Sequence, residues 1–170
     1  LAVRLIDGAS ATTVWTTTST NVEGPPFDLE DQWATELAAA LGDSTGVLHR
    51  YELTAPQPGQ MSSSQAAMRA YYKCQEDETP ESVNDALVAL DAAIADGDRT
   101  PTILALRAWV GAVAVNYELA PDTELEHCRA LAQEAAAAVP STALAQVALG
   151  MVAFVQKEYD LAGEYGRQAA

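Results

Sequence analysis

The side chains able to do chemistry are few and scattered. Two histidines, His49 and His127, and two cysteines, Cys74 and Cys128, stand in 170 residues. A zinc site needs paired ligands at short spacing, and His127-Cys128 is the one adjacent pair. Neighbours on a helix point about 100° apart, so the pair does not converge on one ion. Cys128 is expected as a small packing residue and His127 near the surface. The run Glu76-Asp77-Glu78, with Glu81 and Asp85 behind it, offers the carboxylates that paired acid–base work would use. No histidine or serine constellation accompanies it. It falls where one helix ends and the next begins, where acids favour the following helix dipole, so a solvated face is expected. There is no Gly-rich phosphate loop. Trp15, Trp33 and Trp109 each sit in an apolar stripe and are expected in the core. These residues supply no catalytic group, no metal site and no cofactor site.

Composition narrows the partners. Net charge is −15, from 24 acidic and 9 basic residues. Nucleic-acid binding needs a positive face to displace counterions, and no window clusters more than two basic residues closely, so no nucleic acid is expected. An anionic membrane surface is disfavoured for the same reason. No apolar run approaches the roughly 20 residues of a membrane helix, and a signal peptide is not expected from the opening residues, so no membrane insertion is expected in this stretch. Two cysteines do not make a disulfide framework in a chain this long, and reduced thiols are expected. Hydrophobic residues make up 49% of the chain but aromatics only 6%. Alanine carries much of that share, which suits helices that approach closely.

Along the chain, residues 1–20 read as a β-hairpin. Val3, Leu5 and Val14 are apolar, Thr16 to Thr18 are β-prone, and Asp7-Gly8 opens a turn of the hairpin kind. A helix is expected over 29–41, with Leu29, Trp33, Leu37 and Leu41 on one stripe beside Ala34 and Ala38. Val47, His49, Tyr51 and Leu53 alternate as in a strand. Residues 56–61 read as a linker, dividing an α+β piece over 1–55 from helices over 62–170. In the second part Thr79-Pro80 and Thr100-Pro101 are start signals, with Pro where its missing N–H costs nothing. Val83, Ala86, Leu87, Leu90, Ala93 and Ile94 form one stripe ended by Gly97. Leu106, Trp109, Val110, Val113 and Tyr117 form the next. Pro121-Asp122 opens another helix and Pro140 closes it. A last pair is expected near 142–157 and 159–170.

An internal repeat connects these helices. Gly150, Ala162 and Ala169 are spaced twelve and then seven apart, and so are Cys74, Ala86 and Ala93. Cys128, Ala135 and Pro140 match the second half of a middle unit whose first helix offers Gly111, with about five extra residues near 118–123. A small residue is needed wherever two helices of a hairpin cross closely. Tyr159 ahead of Leu161-Ala162 fits a residue that plugs the inter-helix turn. This pattern resembles the tetratricopeptide repeat, of about 34 residues, most closely over 142–170. It departs from that motif at Gln146, Ala153 and Gly166, where aromatic residues are usual. The resemblance implies a mainly α fold, an array of helical hairpins forming an α-α superhelix, against the plain alternative of an Ala-rich bundle.

Leu5-Ile6-Asp7, Val14-Trp15, Phe27-Asp28-Leu29-Glu30-Asp31, Ala34 and Ala38-Ala39-Ala40-Leu41 are similar in order to the end of the TolB-like domain that precedes tetratricopeptide repeats in bacterial signalling proteins. Tyr71–Ile94, with Thr79-Pro80-Glu81-Ser82, looks like their first repeat. Ala11 replaces the usual turn glycine. Such proteins carry an adenylate cyclase domain or a winged-helix DNA-binding domain upstream, so this chain is expected to be a fragment of a longer one. The resemblance implies a cytoplasmic setting, or a periplasmic one below an upstream membrane helix.

The expected function is therefore non-catalytic: protein–protein interaction or regulatory coupling, with a protein or peptide as partner. In tetratricopeptide arrays the first helix of each hairpin lines a groove. Carried onto this chain, that groove holds Tyr71, Gln75 and Glu78, then Ala112, Val115 and Asn116, then Val147, Met151 and Phe154. A different class, a small-ligand sensor binding between the two parts, is the alternative, and an enzyme is third. The exposed edges of the hairpin over 1–20 also lead to a homodimer through that hairpin.

Overall fold

A computed structural model describes residues 2–6, 11–18, 34, 61–139 and 143–169. The chain divides into two compact units, Leu1–Gln57 and Pro58–Ala170.

In the first unit, β1 (Ala2–Ile6) pairs antiparallel with β2 (Thr13–Thr18). Ala2 faces Thr18 and Leu5 faces Trp15, but Ile6 faces Thr13. Val14 is thus the extra residue of a β-bulge, which strengthens local twist. Leu5 and Trp15 are half-buried as a directly opposed pair, the unit by which sheets are stabilised. Ala11 has φ 56°, the left-handed region that a glycine would occupy at lower cost. The Asp7-Gly8 turn, the strand expected over 47–53 and nearly all of the helix expected over 29–41 lie outside the described residues. Ala34, expected with the buried stripe of that helix, is helical but exposed.

The second unit has six helices among the described residues: α1 (Ser63–Asp77), α2 (Pro80–Ala95), α3 (Pro101–Asn116), α4 (Glu124–Ala138), α5 (Ala143–Val155) and α6 (Tyr159–Ala169). Their starts follow from local chemistry. The Ser62 hydroxyl accepts from the Gln65 N–H while the Gln65 carboxamide accepts from the Ser62 N–H, a reciprocal cap. Thr79 and Ser82 repeat the arrangement ahead of Pro80. Three helix ends share one closure. Residues in the left-handed region, Gly97 (φ 97°), Glu118 (φ 59°) and Lys157 (φ 64°), let the next N–H return to a carbonyl five residues back. These are Asp98 to Ala93 at 3.0 Å, Leu119 to Ala114 at 2.8 Å and Glu158 to Ala153 at 2.9 Å. Such turns satisfy carbonyls that the helix leaves open. Only the first uses glycine.

Short connections make successive helices antiparallel, and side chains confirm the sense. Ser64 on α1 donates to Asp98 beyond α2. Arg99 ahead of α3 makes a two-pronged pair with Glu134 near the end of α4, at 2.6 and 3.0 Å. The hairpins α1/α2, α3/α4 and α5/α6 stack in order, with α3 touching α1, α2, α4 and α5, and, among the described residues, α6 touching α5 alone. This explains the burial. α3 is apolar almost all round and is buried from Ile103 to Ala108 and from Val110 to Val115, as a helix surrounded by others must be. α6 has no buried residue. The shared core is alanine-rich, with Ala105, Ala108, Ala112, Ala132, Ala135, Ala145 and Ala148 around Leu104, Leu131 and Val152.

The expected crossing residues divide accordingly. Cys74 and Ala86 are fully buried, whereas Gly150 and Ala162 are half-buried because α6 has a neighbour on one side only. Tyr117, expected on the buried stripe of α3, is exposed beyond the helix end. Among the described residues no helix is long and apolar enough to cross a membrane.

Candidate partner-binding face

The nine residues expected to line a groove do not form one open surface. On α1, Tyr71 is buried and sits edge-on to Trp109 and Tyr72, with ring centroids 6.1 and 5.5 Å away. Burial, with the neighbouring Tyr72 and Cys74 adding to it, pushes the Tyr71 phenol up to about 12. Gln75 is exposed on α1, and Glu78 is exposed one residue past its end, with φ 38° and its N–H given to the Cys74 carbonyl. On α3, Ala112 and Val115 belong to the core and only Asn116, the last helical residue, is exposed. Tyr71, Ala112 and Val115 are therefore corrections to the expected groove. The central helix has neighbours on every side, and side chains as short as alanine are covered by them.

On α5 the face is open. Val147 is 43% exposed and Phe154 is 49% exposed, while Met151 between them is half-buried against the core. These positions, spaced four and then three, share one helical face. The Phe154 ring meets Tyr159 edge-on at 5.8 Å, and Tyr159 is itself exposed. An apolar row of this kind gains free energy only when something covers it, at roughly 25 cal/mol per Å² removed from water.

Two open grooves lie beside the turn that follows α5, the second of them reaching Tyr159. One, of about 550 Å³, lies between the start of α4 and the α5–α6 turn, and another of about 550 Å³ continues it past Tyr159 and Arg129. Arg129 holds the turn in place, donating to the Gln156 carboxamide and, at 2.9 Å, to Glu158 Oε2.

The largest omission in the sequence-level picture is Arg107. It is 5% exposed in the middle of apolar α3. Its Nε donates to Asp91 Oδ1 of α2 at 2.6 Å and its Nη2 to Glu124 Oε1 of α4 at 2.8 Å. Burial pulls its pKa down, and the two carboxylates more than reverse this and hold it above the ordinary value. Nη1 is buried with no hydrogen-bond partner. Cys128 lies alongside, its thiol pushed up to about 11, chiefly by burial. A fully buried, protonated thiol is a packing group and not a nucleophile. His127 is half exposed and its Nδ1 stands 3.4 Å from the same Glu124 oxygen. The cluster is a buried ionic tie between three helices. A lone arginine four residues before Gly111, inside an otherwise apolar helix, was the available signal. The acidic residues Glu76, Asp77, Glu78, Glu81 and Asp85 are all exposed, and no group of three metal-ligating side chains gathers among the described residues.

No family model, curated protein or solved structure matches this chain.

Proposed function

We propose that the helical unit is a non-catalytic protein-interaction scaffold of the tetratricopeptide type, and that it binds a protein or peptide segment chiefly through the face of α5. The observation that carries this reading is the exposed apolar row of Val147, Met151 and Phe154 beside Tyr159. Stacking that joins first helix to first helix (α3 to α5) and second helix to the next first helix (α2 to α3, α4 to α5) is what such an array requires. Gly111 and Cys128, small residues that touch across a hairpin, support it further, although they stand seventeen residues apart where the other units have twelve. The same reading makes the first unit the end of a TolB-like domain and the parent a bacterial signalling protein with its cyclase or DNA-binding domain elsewhere.

The test is direct. A random-peptide phage library is panned on the 170-residue chain, and enriched peptides are titrated by fluorescence anisotropy against wild type and Phe154→Ala. Saturable binding that Phe154→Ala weakens at unchanged melting temperature supports the proposal. Enriched peptides that bind Phe154→Ala as well as wild type would place the contact elsewhere, and no enrichment would remove the scaffold reading.

A further inference from the structure

We propose that the groove beside the α5–α6 turn selects a basic, apolar partner segment by seating one of its lysine or arginine side chains among Asp122, Glu126 and Glu158. This rests on the interaction reading above and specifies the chemistry of the partner. The groove of about 550 Å³ has Leu125 and Val155 in its wall, those three carboxylates around it and one cation, Lys157. An apolar wall under an acidic rim suits a long basic side chain, whose methylene stem lies along apolar surface while its head stays among charges. Glu158 is oriented by and already paired with Arg129 at 2.9 Å, so Asp122 and Glu126 supply the unpaired negative charge of the seat.

The surrounding backbone agrees in sign. Neither α3 nor α5 carries a basic residue in its last turn, so the negative end of the α3 dipole has no cation in its own helix and that of α5 has Lys157 just beyond it. α4 presents its positive end nearby, but Glu124 and Glu126 in its first turn offset that. Across residues 58–170 there are 16 acidic and 7 basic side chains, a field that steers a basic partner inward. The second groove shares Lys157 and Glu158 with the first and reaches Tyr159, which packs on Phe154. Socket and aromatic pair are thus continuous, and one short segment can place a cation in the first and an apolar side chain on the second.

The peptides enriched on the full chain supply the probe. Their sequences should be rich in lysine or arginine together with apolar residues. The double variant Asp122→Asn/Glu126→Gln should weaken the best peptide by roughly fivefold or more. Glu76→Gln/Asp77→Asn makes the same change of charge on the exposed end of α1 and should leave affinity within about twofold. Lys157→Gln should tighten binding, a gain that damage to the fold would not produce. Thermal melts of each variant show that the fold is kept. Enriched peptides that are neutral or acidic overturn this proposal and leave the scaffold reading standing. Equal weakening by the two double variants overturns it as well, since bulk charge would then account for binding. A library that yields no binder removes the scaffold reading itself.

Discussion

Gly111 on α3 and Cys128 on α4 meet with no room for a methyl group: a Cβ on Gly111 would lie 2.5 Å from the Cys128 sulfur and 2.6 Å from Arg107 Nη1. At Gly150, the corresponding position of the last hairpin, the nearest atoms would be Tyr165 Cβ at 3.5 Å and the Ala162 carbonyl oxygen at 3.6 Å, ordinary contacts. The same substitution should therefore have opposite outcomes. Gly111→Ala should destabilise the unit by about 1–3 kcal/mol through overpacking. Gly150→Ala should be neutral or stabilise by up to about 1 kcal/mol, the helix-propensity gain of alanine. Urea unfolding measures both, and equal effects would contradict the crossing geometry.

The Arg107 tie predicts an order of damage. Removing one carboxylate leaves a buried guanidinium with fewer partners, while removing the guanidinium leaves carboxylates that reach water, the Asp91 side chain being 51% exposed and that of Glu124 24% exposed. Glu124→Ala should cost about 1.5–3 kcal/mol, the range for a hydrogen bond to a charged group. Arg107→Met, of similar volume and apolar, should cost less. The reverse order by chemical denaturation would show that the pair is a net source of stability.

Alkaline pH should destabilise the second unit, because it holds buried thiol and phenol groups, among them Cys74, whose thiol burial also pushes up. Cys128 rises from 9.0 to about 11 and Tyr71 from 10.0 to about 12, both chiefly because burial disfavours the charged form. Both groups stay protonated in the folded chain to higher pH than in the unfolded chain. Their full contribution is present below the unfolded values and is lost as pH rises from about 9 to about 12. Melting temperature followed across that window should fall, and Cys128→Ala with Tyr71→Phe should flatten the fall. An equally steep fall in the double variant would rule out these two groups as the cause.

Much of this arrangement was legible in the sequence, for identifiable reasons. Pro80, Pro101 and Gly97 punctuate helices by fixing or freeing φ, so helix starts and stops could be read locally. The hairpin of β1 and β2 followed from β-prone residues on either side of a turn. Burial on α3 could not be read that way. Ala112 and Val115 have the same helical spacing from Gly111 as Met151 and Phe154 have from Gly150. What separates them is the number of neighbouring helices, which periodicity does not encode. Arg107 escaped notice because its partners, Asp91 and Glu124, are 16 and 17 residues away on two other helices. The bulge at Val14 is likewise a property of pairing between strands.

Left-handed residues other than glycine offer a stabilising change. Lys157 ends α5 with φ 64°, a conformation costing an ordinary residue roughly 1–2 kcal/mol. Lys157→Gly should relieve most of it, offset by glycine's greater freedom when unfolded, and raise stability by up to about 1 kcal/mol. A lower melting temperature would mean that the Lys157 side chain contributes more than its backbone costs.

In the first unit, the sheet has two strands among the described residues, and Ile6 is exposed on β1. Unpaired strand edges invite a further strand, and no lysine or proline interrupts Thr16 to Thr18. The chain should therefore dimerise through this hairpin at high concentration. Multi-angle light scattering should show a mass that rises towards twice that of the chain. A constant monomer mass with an ordered hairpin would contradict it.

The central claim is that the open face of α5 is where a partner binds. Amide and methyl NMR spectra of the labelled chain, recorded with and without the best selected peptide, test it most directly. The account predicts shift changes concentrated at Val147, Met151, Phe154 and Tyr159 and extending to Leu125 and Val155, with Ala112 and Tyr71 little affected. Shifts centred on α1 and α2, or spread evenly over the unit, would contradict it.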